Sequence, residues 1–273
     1  MNNQKIAFIG GGNMGRCLIG GLIADGYSPS AIHVVEPDEV SRKQMGIDFQ
    51  ISAHESPKQA LQSAEIIVLA VKPQIMHSAI NGIKSLLDYP RPLIISIAAG
   101  ISTQSLNHWL AEDSAIVRAM PNTPSMVGSG ATGLFATESV SQEQRGLAES
   151  VMRAVGIIQW LDDESLMDAV TAVSGSGPAY FFRMMEAMEN AATALGLSKE
   201  QARLLTVQTA FGAAKMALES SYDPATLRVQ VTSPGGTTER ALNVFNQKNI
   251  DEIFEQALQA AKDRSTELSK ELG

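Results

Sequence analysis

Lys5-Ile6-Ala7-Phe8-Ile9-Gly10-Gly11-Gly12-Asn13-Met14-Gly15 stands near the start of the chain, and its reading decides the fold. A short apolar strand runs straight into G-x-G-x-x-G, after which Cys17, Leu18, Ile19, Leu22 and Ile23 recur at helical spacing up to Gly26. Strand, glycine turn and helix in this order form the context in which the motif binds a dinucleotide. Gly10 allows the tight turn, Gly12 lets the backbone approach a pyrophosphate, and Gly15 lets the helix pack close to the strand. The unpaired amides of the helix N-terminus, at Asn13 and Met14, suit the negative charge. Glu36 closes the next candidate strand, at the distance of about 20 residues where a carboxylate meets the adenosine ribose. Arg42 and Lys43 follow within two helical turns and offer charge for a 2′-phosphate, so NADPH and NADH both stay open. A glycine-rich turn without a ligand is the bland alternative.

Outward from this unit, short apolar runs alternate with helical stretches, the pattern of βαβ units. Candidate strands are Lys5–Gly10, Ile32–Glu36, Ile66–Val71, Leu93–Ala98 and Ala115–Met120, with Thr132–Ala136 and Ile157–Leu161 after them. Near-continuous Ile, Val, Leu and Ala in the third and fourth predict strands covered on both faces, hence a doubly wound parallel sheet of Rossmann type. Strand signals stop after Leu161, and Ala-, Met-, Leu- and Glu-rich helical periodicity takes over. The expected fold is α/β, with a dinucleotide-binding domain over 1–161 and an all-helical domain over 162–273. Helices are expected over Ala179–Leu195, ended by Gly196, from Ser198 as N-cap to about Glu219, and over Asp251–Leu272.

Composition narrows the function classes. The 273 residues carry 21 Lys and Arg against 29 Asp and Glu, a net charge of −8, with 44% hydrophobic residues. That supports a sizeable core and argues against nucleic acid or an anionic membrane as partner. No run of 18 apolar residues predicts a membrane span. The single cysteine, Cys17, cannot pair within the chain and fits a reducing, cytoplasmic setting, and no Cys/His spacing suggests a metal site. His33, His54, His77 and His108 are scattered without carboxylate partners, so a histidine-based triad is unsupported and the chemistry falls to a cofactor.

Further motifs sit at successive strand ends, the edge where open α/β sheets bind ligands. Ala70-Val71-Lys72-Pro73 follows the third candidate strand, Ser96-Ile97-Ala98-Ala99-Gly100 the fourth, and Pro121-Asn122-Thr123-Pro124 the fifth. In the helical half, Ser174-Gly175-Ser176-Gly177-Pro178 separates two helices. Val231-Thr232-Ser233-Pro234-Gly235-Gly236-Thr237-Thr238 precedes another, with glycine amides and hydroxyls suited to a carboxylate. An ordinary N-cap by Thr237 or Thr238 is the structural alternative.

Taken in order, these motifs, with Asp168-Ala169-Val170-Thr171 and Gly212-Ala213-Ala214-Lys215-Met216, resemble the pyrroline-5-carboxylate reductase family over essentially the whole chain. The resemblance implies hydride transfer from NADPH or NADH to the imine carbon of Δ1-pyrroline-5-carboxylate, giving L-proline. It assigns Gly235, Gly236 and Thr237, with Ser233 beside them, to the substrate carboxylate, and Thr238 to the ring nitrogen. Glu164 and Thr171 fall on the substrate side, and Lys72 near the nicotinamide. Thr238, Lys72 and Thr171 are the catalytic candidates. Gly10, Gly12, Asn13, Met14, Gly15, Glu36, Ser56, Ala70, Val71, Lys72, Pro73, Ala98, Ala99, Gly100 and Asn122 are those for the cofactor. Leu227-Arg228-Val229-Gln230 departs from the acid and lysine that family members often carry there. The resemblance also implies a homodimer or a ring of dimers, joined through the helical domain. Two competitors are a β-hydroxyacid dehydrogenase-like reductase, with Lys215 as its nearest acid, and a dinucleotide-binding regulator without catalysis.

Overall fold

The computed structural model describes residues 4–87, 91–110 and 113–272. Met1-Asn2-Asn3, which the sequence reading set ahead of the first strand, lie outside them. By internal contacts the chain divides into two units, one of 1–176 with 261–273 and one of 177–260.

In the first unit, β1 (Ile6–Ile9), α1 (Asn13–Ala24), β2 (Ile32–Val35), α2 (Glu39–Phe49) and β3 (Ser52–His54) come in sequence. Then follow α3 (Pro57–Leu61), β4 (Ile66–Leu69), α4 (Pro73–Ile83), β5 (Leu93–Ser96), α5 (Thr103–Leu110) and β6 (Ile116–Met120). β7 (Gly130–Ala136), α6 (Gln142–Arg153), β8 (Gly156–Trp160) and α7 (Met167–Val170) complete the run. The strands form one sheet in the order β3-β2-β1-β4-β5-β6-β7-β8. The order reverses at β1, which has β2 on one side and β4 on the other, both in parallel register from Ile6.

Period-two alternation builds two layers. Ile6 and Phe8 of β1 pack with Leu18, Ile19 and Leu22 of α1, Met45 of α2 and Val151 and Met152 of α6. Ala7 and Ile9 point to the opposite face, toward Leu61 of α3, Met76 and Ile80 of α4 and Leu106 of α5. With helices on both faces, the doubly wound fold expected from the sequence is present.

Two details differ from expectation. β3 was not anticipated: Ser52, Ala53 and His54 are half-buried and short, with no apolar run, and pair with β2 at the sheet edge. β7 runs antiparallel to β6, so the sheet is parallel only from β3 to β6 and again between β7 and β8. A one-turn helix at Thr123–Val127 and a left-handed Gly128 (φ 69°) turn the chain between β6 and β7. That connection is too short for the crossover a parallel pair requires.

Residues past Leu161 stay with the sheet. Met167 and Ala172 are fully buried or nearly so, and Val170 fills the space above Gly133, where a Cβ would stand 2.7 Å from its Cγ1. A five-residue π turn, Thr171–Gly175, follows α7. The C-terminal helix α12 also returns here: Ser265 and Thr266 donate hydrogen bonds of 2.7 and 2.8 Å to the two carboxylate oxygens of Asp168. The loss of strand signals at Leu161 therefore marks the last strand, whereas the packing unit extends to Ser176.

The second unit is helical: α8 (Gly177–Ala194), α9 (Lys199–Glu219), α10 (Pro224–Gln230), α11 (Thr237–Gln247) and the first half of α12 (Ile250–Leu272). Gly196, at φ 104°, turns the α8–α9 hairpin, and Ser198 caps α9 in a reciprocal pair with Gln201. Among the described residues of this unit, Ala202 is the one buried hydrophobic side chain. Phe181, Phe182, Phe211 and Leu218 are 58 to 79% exposed in the single chain. Apolar surface on this scale is rare in a monomer.

Candidate functional site

The first strand-turn-helix carries the glycine loop as expected. Gly10 has φ 104°, and a Cβ there would stand 2.8 Å from the Ala70 carbonyl oxygen. Gly15 is equally constrained, since its Cβ would meet the Gly10 carbonyl oxygen at 2.8 Å, so α1 packs directly on the loop. Gly12 is different. It is the N-cap of α1, no side chain caps the helix, its first turn holds no acid, and a Cβ would meet nothing within 4 Å. The space in front of these amides is open. They suit a pyrophosphate by position and by the positive end of the helix dipole.

That space belongs to a cavity of about 740 Å³, lined by Gly10, Gly11 and Gly12, by Glu36 and Pro37 after β2, by Glu55 and Pro57 after β3, and by Ala70, Val71 and Lys72 after β4. The size lies within the range for small-molecule and cofactor sites, and the place is the switch point of the sheet. The residues present fit a dinucleotide.

Glu36 is half-buried, and its carboxylate accepts the Gly11 amide on Oε2 and the Asp38 amide on Oε1, each at 3.0 Å. Arg42 donates from Nη1 to the carbonyls of Glu36 and Pro37, both at 2.9 Å, and its Nη2 lies 3.8 Å from Glu55. Below this loop, His33 and His54 stack, with Nδ1 of the first 3.0 Å from Nε2 of the second. Burial, helped by the charges of Lys5 and His54, pushes His33 down to about 4, so it is neutral at pH 7.

The remaining candidates for the cofactor flank this cavity or stand apart from it. Asn13, Met14, Gly15, Ser56, Pro73, Ala98, Ala99, Gly100 and Asn122 do not line this cavity. Ser56 and Pro73 adjoin residues that do, as N-cap of α3 and first residue of α4. Lys72 is exposed at the N-cap of α4. Gly100 has φ 74°, a conformation that favours glycine, and a Cβ there would come within ordinary contact of Leu268 of α12, at 3.4 Å. Asn122 is 8% exposed with both ends of its amide engaged: Nδ2 donates to the Ser174 carbonyl at 3.0 Å, and Oδ1 accepts the Ala131 amide at 2.9 Å. It braces the π turn against the start of β7.

Glu164, expected on the substrate side, is held by protein. One oxygen accepts the Thr103 amide at 2.8 Å and Arg118 at 2.9 Å, and the other accepts the Thr103 hydroxyl at 2.5 Å. Arg118 is 5% exposed, and a charge inside the apolar run Ile116–Met120 was the sequence signal for it. Thr171 opens the π turn and donates its hydroxyl to the Met167 carbonyl at 2.8 Å. Gly11, Pro37, Glu55 and Pro57 line the cavity without having been expected.

In the helical unit the Ser233–Thr238 loop is built as a second uncapped helix start. Gly235 adopts φ 73°, Gly236 is the N-cap of α11 with no side-chain cap, and the Gly236 amide donates to the Ser233 carbonyl at 3.0 Å. Thr237 and Thr238 are the first two helical residues, so neither is the N-cap. The Gly235 amide donates to the Glu239 carboxylate at 2.9 Å, so the loop already holds one carboxylate, from its own chain. Lys215 is exposed and lies 3.7 Å from Glu219, one turn along α9.

Comparison with known proteins covers both parts. The family model described as pyrroline-5-carboxylate reductase dimerisation matches residues 164–268, and that described as NADP oxidoreductase, coenzyme F420-dependent, matches residues 5–100. A pyrroline-5-carboxylate reductase of Pseudomonas aeruginosa is 49% identical over 273 residues, all of both chains. Among solved structures, a pyrroline-5-carboxylate reductase from Coxiella burnetii superposes with a TM-score of 0.95 at 47% identity, covering 98% of this chain and 99% of that one. The Plasmodium falciparum pyrroline carboxylate reductase with NADP bound gives 0.87 at 30% identity, over 98% and 99%.

Proposed function

The chain belongs to the pyrroline-5-carboxylate reductase family, and from that premise we propose that it reduces Δ1-pyrroline-5-carboxylate to L-proline with NADPH or NADH. The observation that carries this is the pair of uncapped helix starts, at Gly12 and at Gly236, on glycine loops within one chain. Each presents unpaired amides to an anion. The two anions required are a pyrophosphate and a substrate carboxylate.

When bound, the nicotinamide supplies a hydride. The chain's own residues bind, orient and handle the proton. Amides of Gly235, Gly236 and Thr237, with the Ser233 hydroxyl beside them, take the substrate carboxylate, for which Glu239 vacates Gly235 and the Gly236 amide leaves the Ser233 carbonyl. The Thr238 hydroxyl takes the ring nitrogen. A protonated imine accepts hydride at carbon and becomes a neutral secondary amine, so no strong base is needed and orientation supplies most of the rate. Lys72 stands at the carboxyl edge of β4 near the nicotinamide, and Thr171 and Asn122 shape the π turn. Glu164 acts from the substrate side through Thr103 and Arg118.

In functional terms the chain divides at Leu161 into a cofactor domain, 1–161, and a helical domain, 162–273; the family match beginning at residue 164 supports that division. The helical domain self-associates, and the exposed Phe181, Phe182 and Phe211 supply the apolar surface for a homodimer, alone or in a ring of dimers. Cys17, unpaired, supports the cytoplasmic location. Among the described residues no helix is long and apolar enough to cross a membrane.

The test is loss of absorbance at 340 nm with pyrroline-5-carboxylate and either reduced cofactor. Oxidation with stoichiometric L-proline is expected; none with either cofactor would overturn the proposal.

A further inference from the structure

The cavity's adenosine end carries information about which of the two cofactors fits, and we infer that this chain is built for NADH and selects against the 2′-phosphate of NADPH. The inference rests on dinucleotide binding as proposed above and deepens it.

Glu36 is the centre of the discrimination. Its carboxylate is fixed by two backbone amides, from Gly11 and Asp38, one on each oxygen. A carboxylate offers about four lone-pair sites over its two oxygens, so each oxygen keeps one to accept a hydroxyl. Two acceptors side by side, fixed on a residue that lines the cavity, match a ribose 2′,3′-diol. A phosphate brings no donor to them and adds like charge.

The sequence offered Arg42 and Lys43 as possible partners for a 2′-phosphate. Both are engaged. Arg42 spends Nη1 on the carbonyls of Glu36 and Pro37 and faces Glu55 with Nη2, and its side chain is only 18% exposed. It is a positioning residue that braces the turn carrying Glu36. Lys43 pairs with Glu39 at 2.6 Å, out on the exposed face of α2. Glu55 lines the same cavity and adds a second carboxylate to the end where the phosphate would sit. Lys72 is the one cationic residue in the lining, and it follows β4, whereas Glu36 follows β2. With β1 between those strands, two strand spacings of about 4.8 Å separate them.

Binding of each reduced cofactor to the full-length protein, measured by isothermal titration calorimetry without substrate, reads this directly. The expected result is a Kd for NADH at least tenfold below that for NADPH, with kcat/KM for pyrroline-5-carboxylate reduction favouring NADH in the same sense. Glu36→Gln keeps the shape and removes the charge, and Glu36→Ser removes both acceptors; each should move the NADH/NADPH ratio at least tenfold toward NADPH. NADPH binding as tightly as NADH to the unmodified protein, or a ratio unmoved in both variants, would overturn the inference. If neither cofactor reduces the imine, the reductase proposal falls, while the calorimetric ratio still decides this one.

Discussion

Two alanine substitutions two residues apart in the glycine loop should fail for opposite reasons. At Gly12 the backbone has φ −69°, which any residue adopts, and the added Cβ meets nothing within 4 Å. Replacing glycine by alanine at such a site gains about 0.4–1 kcal/mol through the unfolded chain, and alanine in place of glycine as N-cap costs about 0.5–1 kcal/mol. Stability should therefore stay within about 0.5 kcal/mol. The methyl group, however, stands where a pyrophosphate must approach the amides. Losing one hydrogen bond to a charged group is worth about 1.5–3 kcal/mol, which is roughly a 10- to 100-fold rise in Kd. At Gly10 the costs fall on the fold. The residue sits at φ 104°, and a Cβ meets the Ala70 carbonyl oxygen at 2.8 Å and Val71 Cγ1 at 2.9 Å. Strained backbone alone costs about 1–3 kcal/mol, and the clash with backbone adds to it. Urea denaturation and calorimetric titration with NADH separate the two effects. Gly12→Ala binding cofactor as tightly as the unmodified protein, or Gly10→Ala as stable as it, would refute the reasoning.

Three further outcomes follow from the geometry. Thr238→Ala should lower kcat/KM for the imine by about tenfold or more, in line with a lost hydrogen bond near the reacting atoms, and leave the Kd for cofactor unchanged; an effect confined to cofactor affinity would contradict the assignment. Glu239→Ala frees the Gly235 amide from its internal carboxylate, so KM for the imine should fall several-fold with kcat unchanged, and a rise in KM would show that Glu239 belongs to the productive complex. His33 titrates near 4 when folded against an ordinary 6.5 when unfolded, burial being the main cause; the unfolded chain then binds the extra proton between these values, and stability should fall as pH drops from about 6.5 toward 4. Urea midpoints of His33→Gln should fall less steeply over that window, and equal slopes would remove His33 from the explanation.

How much was legible in the sequence depends on the range of the interactions. The glycine loop and the strand that feeds it are contiguous and their local chemistry states their geometry, and Glu36, 25 residues from Gly11, was legible through the fixed spacing of the motif. Ser198 with Gln201 is a capping pair within one turn, and it was found where expected. β3 was hidden because its three residues owe their conformation to pairing with β2. The direction of β7 depends on a tight turn whose shape Gly128 completes. Glu164 was readable as an acid of interest, but its partners Thr103 and Arg118 are 61 and 46 residues away. Gly100 was readable as a glycine at a strand end, but the neighbour it approaches, Leu268, lies 168 residues on. The two prolines around it singled out Asn122, but its partners Ser174 and Ala131 lie 52 and 9 residues away.

The most direct measurement of the central claim follows the hydride itself. NADH carrying deuterium at the transferable position of nicotinamide C4 is incubated with the protein and Δ1-pyrroline-5-carboxylate, and the product is analysed by mass spectrometry and NMR. Proline with a single deuterium on the former imine carbon is the expected result. Proline without deuterium, or no proline while the cofactor still binds, would contradict hydride transfer by this chain.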